Sequence, residues 1–223
     1  MKTKPHHLIC FLLTVGLGLL ISEGAHVVKS AVRSYFSTTN NTEIPQQALV
    51  SQQQDEVDVY RTVIQKYATE RASILAVKSV AGASEFFTIE SNRDGLTAAQ
   101  FFEQVNRYLP VTKETTDNYL LQNETPSELN LDFLGFQYKL VSEQEVERFF
   151  HDGGEGWRGF YQKYPHASGL ITLSRIGFNR DHTEAFVYDT YSCGGLCGEG
   201  NYVVLTKIGS VWWIQDTACI WES

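Results

Sequence analysis

The sequence predicts an α+β fold, with helices packed on a C-terminal four-stranded antiparallel meander in a single domain. Three observations carry that reading. Beyond Trp157 the chain becomes a series of β-branched and aromatic runs separated by turn residues. Upstream, two S/T-x-x-E/Q signatures each precede an amphipathic run, as at helix starts. At 43% hydrophobic and 13% aromatic residues over 223 positions, the chain can build a core without relying on cysteine staples.

The N-terminus reads as an export signal, residues 1–24. Lys2 and Lys4 give a positive n-region, and Leu8–Ile21 carries no charge but is too short to span a bilayer comfortably. Ser22 and Gly24 place small residues at −3 and −1 for cleavage after Gly24; the rival is an uncleaved N-terminal anchor, because the site departs from Ala-x-Ala. The expected location is therefore secreted or periplasmic, at the cell envelope, and membrane-tethered only if the segment is retained. Residues 25–54 are polar, rich in Ser, Thr, Asn and Gln, and lack a sustained period, which predicts a flexible tether. The single α+β domain is expected to occupy 55–223.

Within it, Tyr60, Val63, Ile64 and Tyr67 recur at helical spacing with acids in the first turn. "ASILAVKSVAG" and "SEFFTIES" read as short strands, the first also compatible with a buried helix. Thr97 and Gln100 form a capping box, Leu96 staples onto Phe101, and Phe101, Phe102, Val105, Tyr108 and Leu109 make the apolar face. Thr115–Gln122 reads as a short helix and "GFQYKLV" as a strand. Ser142 and Glu145 repeat the box with a Val141–Val146 staple, turning Val146, Phe149 and Phe150 inward. The meander follows as "GLITLSRIGFN", "EAFVYDTYS", "NYVVLTKI" and "VWWIQDTACIWES", with helices expected over one of its faces. Asn179–Thr183, the glycine stretch and Gly209-Ser210 are the turns.

The formal charge of −8, with basic residues scattered, argues against nucleic acid and against an anionic membrane surface. Partners are left as an unknown protein or small ligand, with membrane contact only through a retained N-terminal segment. Asn40 and Asn123 head N-x-T sequons.

The densest unusual stretch is "CGGLCGEG", residues 193–200. Loss of 1–24 removes Cys10 and leaves Cys193, Cys197 and Cys219, so an oxidising compartment allows one internal disulfide and one thiol left over. If Gly209-Ser210 is a tight turn, Ile208 faces Val211 and Cys219 falls opposite Gly200, gathering the three cysteines on one rim. The pairings 193–197, 193–219 and 197–219 are all open, 193–197 being the most local. C-x₃-C without a C-x₂-C or H-x₃-H partner is a poor metal site, and it precedes a strand where dithiol motifs open a helix. No lysine or helix follows to make a phosphate loop. No metal, cofactor or catalytic residue is assigned. The reading that carries most weight is a wide hairpin loop whose glycines supply positive φ and whose cysteines clip it.

Other candidates sit nearby. Arg175 and Asp189 lie in adjoining strands and can pair across the first hairpin. With Gly194, Gly195 and Glu199 they make a candidate functional rim. Glu155 and Glu199 are carboxylates on glycine-rich segments with no spacing that brings them together. Trp157, Tyr161 and Tyr164, with Phe160, form an aromatic cluster that reads as a stacking surface or as packing against the sheet.

"FYQKYPHASGLITLSRIGFN" followed by "SCGGLCGEGNYVVL" and a Trp-containing last strand resembles a group of uncharacterised exported bacterial proteins with FYxKYPxSxG, LSRxGFN and CGGLCGxG blocks. The resemblance covers 136–223 best, and His166-Ala167 departs from the small or polar pair expected before Ser168. A looser likeness to NTF2-like or cystatin-like domains implies helices on a curved antiparallel sheet, and carries no activity. The function expected is an exported binding or interaction domain without catalysis. The alternatives are a hydrolase or thiol-redox enzyme built on the Cys193/Cys197 loop, or a small-ligand pocket between helices and sheet. An enzyme would need a base within hydrogen-bond reach of a thiol.

Overall fold

A computed structural model of the chain describes residues 46–68, 74–78, 80–81, 97–129, 131 and 137–223. The expected leader at 1–24, the tether up to residue 45, Leu96 and the strand expected at 84–91 lie outside these residues. The elements are α1 (Gln46–Gln65), β1 (Ile74–Lys78), β2 (Val80–Ala81), α2 (Ala98–Asn106), α3 (Lys113–Gln122), β3 (Ser127–Glu128), β4 (Tyr138–Val141), α4 (Glu143–Phe150), α5 (Gly156–Lys163), β5 (Ala167–Leu173), β6 (Gly177–Phe178), β7 (Glu184–Gly194), β8 (Cys197–Ile208) and β9 (Val211–Glu222). Among the described residues no helix is long and apolar enough to cross a membrane.

The α+β class and the C-terminal meander stand. β5, β7, β8 and β9 pair antiparallel in that order. The run expected as one first strand is split into β5 and β6 by Ser174–Ile176, where Ser174 Oγ takes the Tyr188 amide at 2.8 Å. The sheet also extends beyond the meander. β1 lies beside β5 and β4 beside β1, both pairings parallel. Parallel strands need a crossover, and α4 and α5 lie on the one that carries the chain from β4 past β1 to β5.

Both faces of the sheet are covered, not one. Alternate β7 residues point to opposite sides. Ala185 and Val187 belong to the core under α1, with Val59, Tyr60, Val63 and Ile64. Phe186 and Tyr188 face Phe101, Val105 and Tyr119 of α2 and α3. Toward β4 and β5, Phe149 and Phe160 of α4 and α5 cover Val141 and Leu170. The helix starts follow their local chemistry: Thr97–Gln100 and Ser142–Glu145 both close capping boxes. Tyr108 and Phe150, expected inward, are 57% and 38% exposed: Tyr108 lies beyond the end of α2, and Phe150 is the last residue of α4.

α1 starts at Gln46, so residues 46–54 are helical rather than part of a tether. Their glutamines, with Ala48 and Leu49 and no Gly or Pro, are good helix formers, and polarity alone does not make a linker.

Two carboxylates fasten α1 to the sheet. Near its middle, buried Asp55 accepts from Lys207 Nζ at 2.5 Å and Trp212 Nε1 at 3.0 Å. Just beyond its C-terminal end, Lys66 Nζ reaches both oxygens of Asp189 at 2.9 and 2.7 Å, and the Tyr67 hydroxyl donates to the same carboxylate. Asp189 is fully buried, so its charge is tolerable only with those donors in place. Burial, followed by the Asp189 charge, drives the Tyr67 hydroxyl far above its ordinary pKa and keeps it a donor. Replacing Asp189 by Asn removes the charge that Lys66 was desolvated to meet. Lys66 keeps about a quarter of its surface in water, so the low end of the penalty for breaking a buried pair applies. Asp189→Asn is expected to cost about 3 kcal/mol, read as a lowered urea midpoint at unchanged m-value.

Candidate functional site

The cysteine-glycine stretch is a strand pair with a tight tip, not a wide loop. β7 continues to Gly194 and β8 begins at Cys197, opposite it, leaving Gly195-Leu196 as the turn. Cys193 and Cys197 are joined as a disulfide. No cysteine among the described residues is free. Cys219 stands opposite Asn201 instead of Gly200, because the ladder skips Gln215 between Leu205↔Ile214 and Val204↔Asp216.

None of the glycines in this stretch takes positive φ, and Gly198 and Gly200 serve close approach; the positive-φ glycines among the described residues are Gly153, Gly156 and Gly209. A Cβ on Gly200 would lie 2.1 Å from Trp221 Nε1 and 2.5 Å from the Tyr188 hydroxyl. One on Gly198 would meet the same indole at 3.1 Å. The two glycines form a bed for Trp221, whose Nε1 donates to Tyr188 Oη at 2.6 Å. Ser223 closes the edge with reciprocal backbone bonds to Gly198. Gly195 has open space around it, and Leu196 is almost wholly exposed.

The remaining rim candidates separate. Arg175 does not pair with Asp189. The β5–β7 ladder ends at Leu173↔Asp189, and Arg175 lies past it. Its guanidinium instead reaches Gln122 O at 3.0 Å and Gln122 Oε1 at 2.6 Å, a cation at the C-terminal end of α3. Its backbone exchanges two hydrogen bonds with the Asn123 amide, which is buried and fully engaged, so the sequon there offers no glycan acceptor in the folded state. Asp189 belongs to the α1 clamp. Glu199 joins that cluster through Asn201 Nδ2, at 3.3 Å, while Glu155 sits exposed before α5.

The aromatic cluster is mostly packing. Trp157, Tyr161 and Tyr164 are half-buried and pack with Phe149 and Phe160. The Tyr161 hydroxyl donates to Ser168 O and Cys193 O, tying α5 to the disulfide hairpin. Tyr164 donates to Glu145, whose carboxyl is held down at about 2, first by Lys163 and then by the Ser142 and Tyr164 bonds.

The arrangement most suited to a ligand lies elsewhere, in a cleft of about 270 Å³ between α1, α3 and the β6–β7 turn. Ile176 and Phe178 give it an apolar wall, and Glu56, Glu114, Asn118, Arg180 and His182 give it polar ones. α3 comes this close because Gly177 has no side chain: a Cβ there would lie 2.5 Å from Thr115 O. The turn is shaped by Asn179, whose Oδ1 accepts from Thr183 N and Glu184 N. His182 takes the left-handed region at φ 51 and stacks on Phe178 with centroids 4.5 Å apart. Its buried Nδ1 makes no hydrogen bond and stands 3.5 Å from Asp55 Oδ2. Arg180 lies 3.7 Å from Glu114, while Glu56 forms no ion pair among the described residues. Burial raises the Glu56 carboxyl above its ordinary value, with Arg175 and His182 pulling it back. Among the described residues no cluster of His, Cys, Asp or Glu could hold a metal.

Sequence reasoning missed this cleft. Glu56 reads as an ordinary first-turn acid and Asn179–Thr183 only as turn chemistry. Its three walls are far apart in the chain, and no spacing rule joins them.

No family model, curated protein or solved structure matches the chain.

The glycine bed is directly testable. Gly200→Ala forces Trp221 off its seat and is expected to cost about 1–3 kcal/mol. Gly195→Ala, in open space, should change stability by no more than about 0.5 kcal/mol in the same chemical melts.

Proposed function

We propose that the protein is an exported binding domain acting without catalysis, and that the cleft between α1, α3 and the β6–β7 turn takes a small zwitterion, its ammonium on Glu56 and its anionic end toward Arg180. The observation that carries this is that one cleft is lined by a carboxylate with no ion-pair partner among the described residues and by an exposed guanidinium. Cleft size fits a small molecule, lying just under the ~300–1,000 Å³ of ordinary ligand sites. The Ile176–Phe178 wall supplies apolar contact for the ligand's carbon skeleton. Export rests on the charged n-region and uncharged Leu8–Ile21 run.

The disulfide hairpin supports a structural role better than a chemical one. Neither sulfur has a His, Asp or Glu in hydrogen-bond contact among the described residues, and a thiol nucleophile requires such a base.

Calorimetric titration of the full chain with the free amino acids and short alkyl diamines tests the reading. Saturable binding of at least one zwitterion is expected. Glu56→Gln should weaken it about 10- to 100-fold, the worth of a charge-assisted hydrogen bond. Arg180→Ala should weaken zwitterions but spare diamines. Since burial raises the Glu56 carboxyl above its ordinary value, affinity should be highest where it is ionised and fall as acid protonates it, earlier in the descent of pH than for an ordinary glutamate. Binding that is absent, or indifferent to Glu56, contradicts the proposal.

A further inference from the structure

Of the seven large hydrophobic residues exposed among the described ones, Ile208, Val211, Trp213 and Ile214 belong to the end of a single hairpin. Ile208 pairs with Val211 and Thr206 with Trp213, so by strand alternation Ile208, Val211 and Trp213 share one face. They are 65%, 50% and 56% exposed. From Ile208 to Ile214 the chain carries no charge, and Gly209, at φ 63, folds the tip. Trp212, between them, is turned the other way and buried under α1.

The tip lies close to the start of α1. α1 is fixed to the sheet at Asp189, opposite Asn201 on β8, and at Lys207 of the same strand. From Lys66 back to Asp55 the helix rises roughly 16 Å, and from Asn201 to Lys207 the strand advances roughly 20 Å. The helix therefore runs alongside β8 with its N-terminal turns directed past the hairpin tip. The residues that precede α1 in the sequence include the uncharged Leu8–Ile21 run. The apolar tip and the start of α1 share one pole of the domain.

We propose that the β8–β9 hairpin tip is a lipid-contact site, with Trp213 seated at the interface of a zwitterionic membrane beside Ile208 and Val211. Tryptophan suits that place because its ring is apolar and its N–H can stay wet. The formal charge of −8 disfavours an anionic surface, so the headgroup is zwitterionic. This proposal is independent of the cleft and of what the cleft binds.

The test uses the full chain on phosphatidylcholine vesicles containing acyl-chain-brominated phosphatidylcholine, with tryptophan fluorescence as the readout. Trp213→Phe is a conservative change at an exposed position. It is expected to remove more than half of the bromine quenching, while Trp157→Phe, in the half-buried cluster on α5, leaves it intact. Equal quenching in both variants would place the membrane contact elsewhere in the chain and overturn the proposal. No quenching in the parent protein would also overturn it. So would a parent that sediments as a dimer and becomes a monomer on Trp213→Ser, since the tip would then be an interface between copies.

Discussion

α1 packs on a sheet whose core positions are apolar, yet two buried acids set its position, and the cleft and the hairpin tip both depend on that placement. Apolar burial of Val59, Val63 and Ile64 supplies attraction without direction. Asp55 and Asp189 supply the direction, because a buried carboxylate tolerates few arrangements of donors. Lys207 and Trp212 fix one point of the helix, and Lys66 and Tyr67 another. With both points held, α1 can only run along β8. Its residue Glu56 then faces α3 across the cleft, and its N-terminal turns head toward the hairpin tip.

The glycine-rich rim is a separate piece of construction at the opposite end of β8. Trp221 lies over Gly198 and Gly200 and donates to Tyr188, and Ser223 pairs with Gly198, so the last strand is seated along the disulfide hairpin. Tyr161 ties the same hairpin to α5 through Cys193 O. The disulfide closes a short loop, for which chain entropy gives roughly 2 kcal/mol. Its contribution is to hold the tip that these contacts converge on. The cleft and the apolar tip lie at the other pole, away from the cysteines.

What is legible in the sequence is local. The capping boxes at Thr97 and Ser142, the Gly209-Ser210 turn with Ile208 opposite Val211, and the order of the meander all depend on neighbours within a few residues. What is not legible depends on distant chain. β1 and β4 add parallel strands through pairings that no turn announces. The skipped Gln215 moves Cys219 by one position, and nothing in an alternating pattern marks a bulge in advance. Strand order alone puts Arg175 beside Asp189, but each is claimed by a helix, α3 for one and α1 for the other. A glycine-rich stretch suggests conformational freedom, whereas Gly200 answers to an indole arriving from the end of the chain. The cleft is hidden for the same reason: Glu56, Asn118 and His182 come from three distant segments.

The central claim is that α1 and the β7–β8 pair form one cooperative unit through the two carboxylates. Native-state amide hydrogen exchange, residue by residue, tests it most directly. The account predicts that amides of α1 from Val59 to Ile64 exchange with the same opening free energy as those of Val187 and Val203, equal to the global stability. Exchange of α1 through a separate opening of lower free energy, with β7 and β8 still protected, would contradict it.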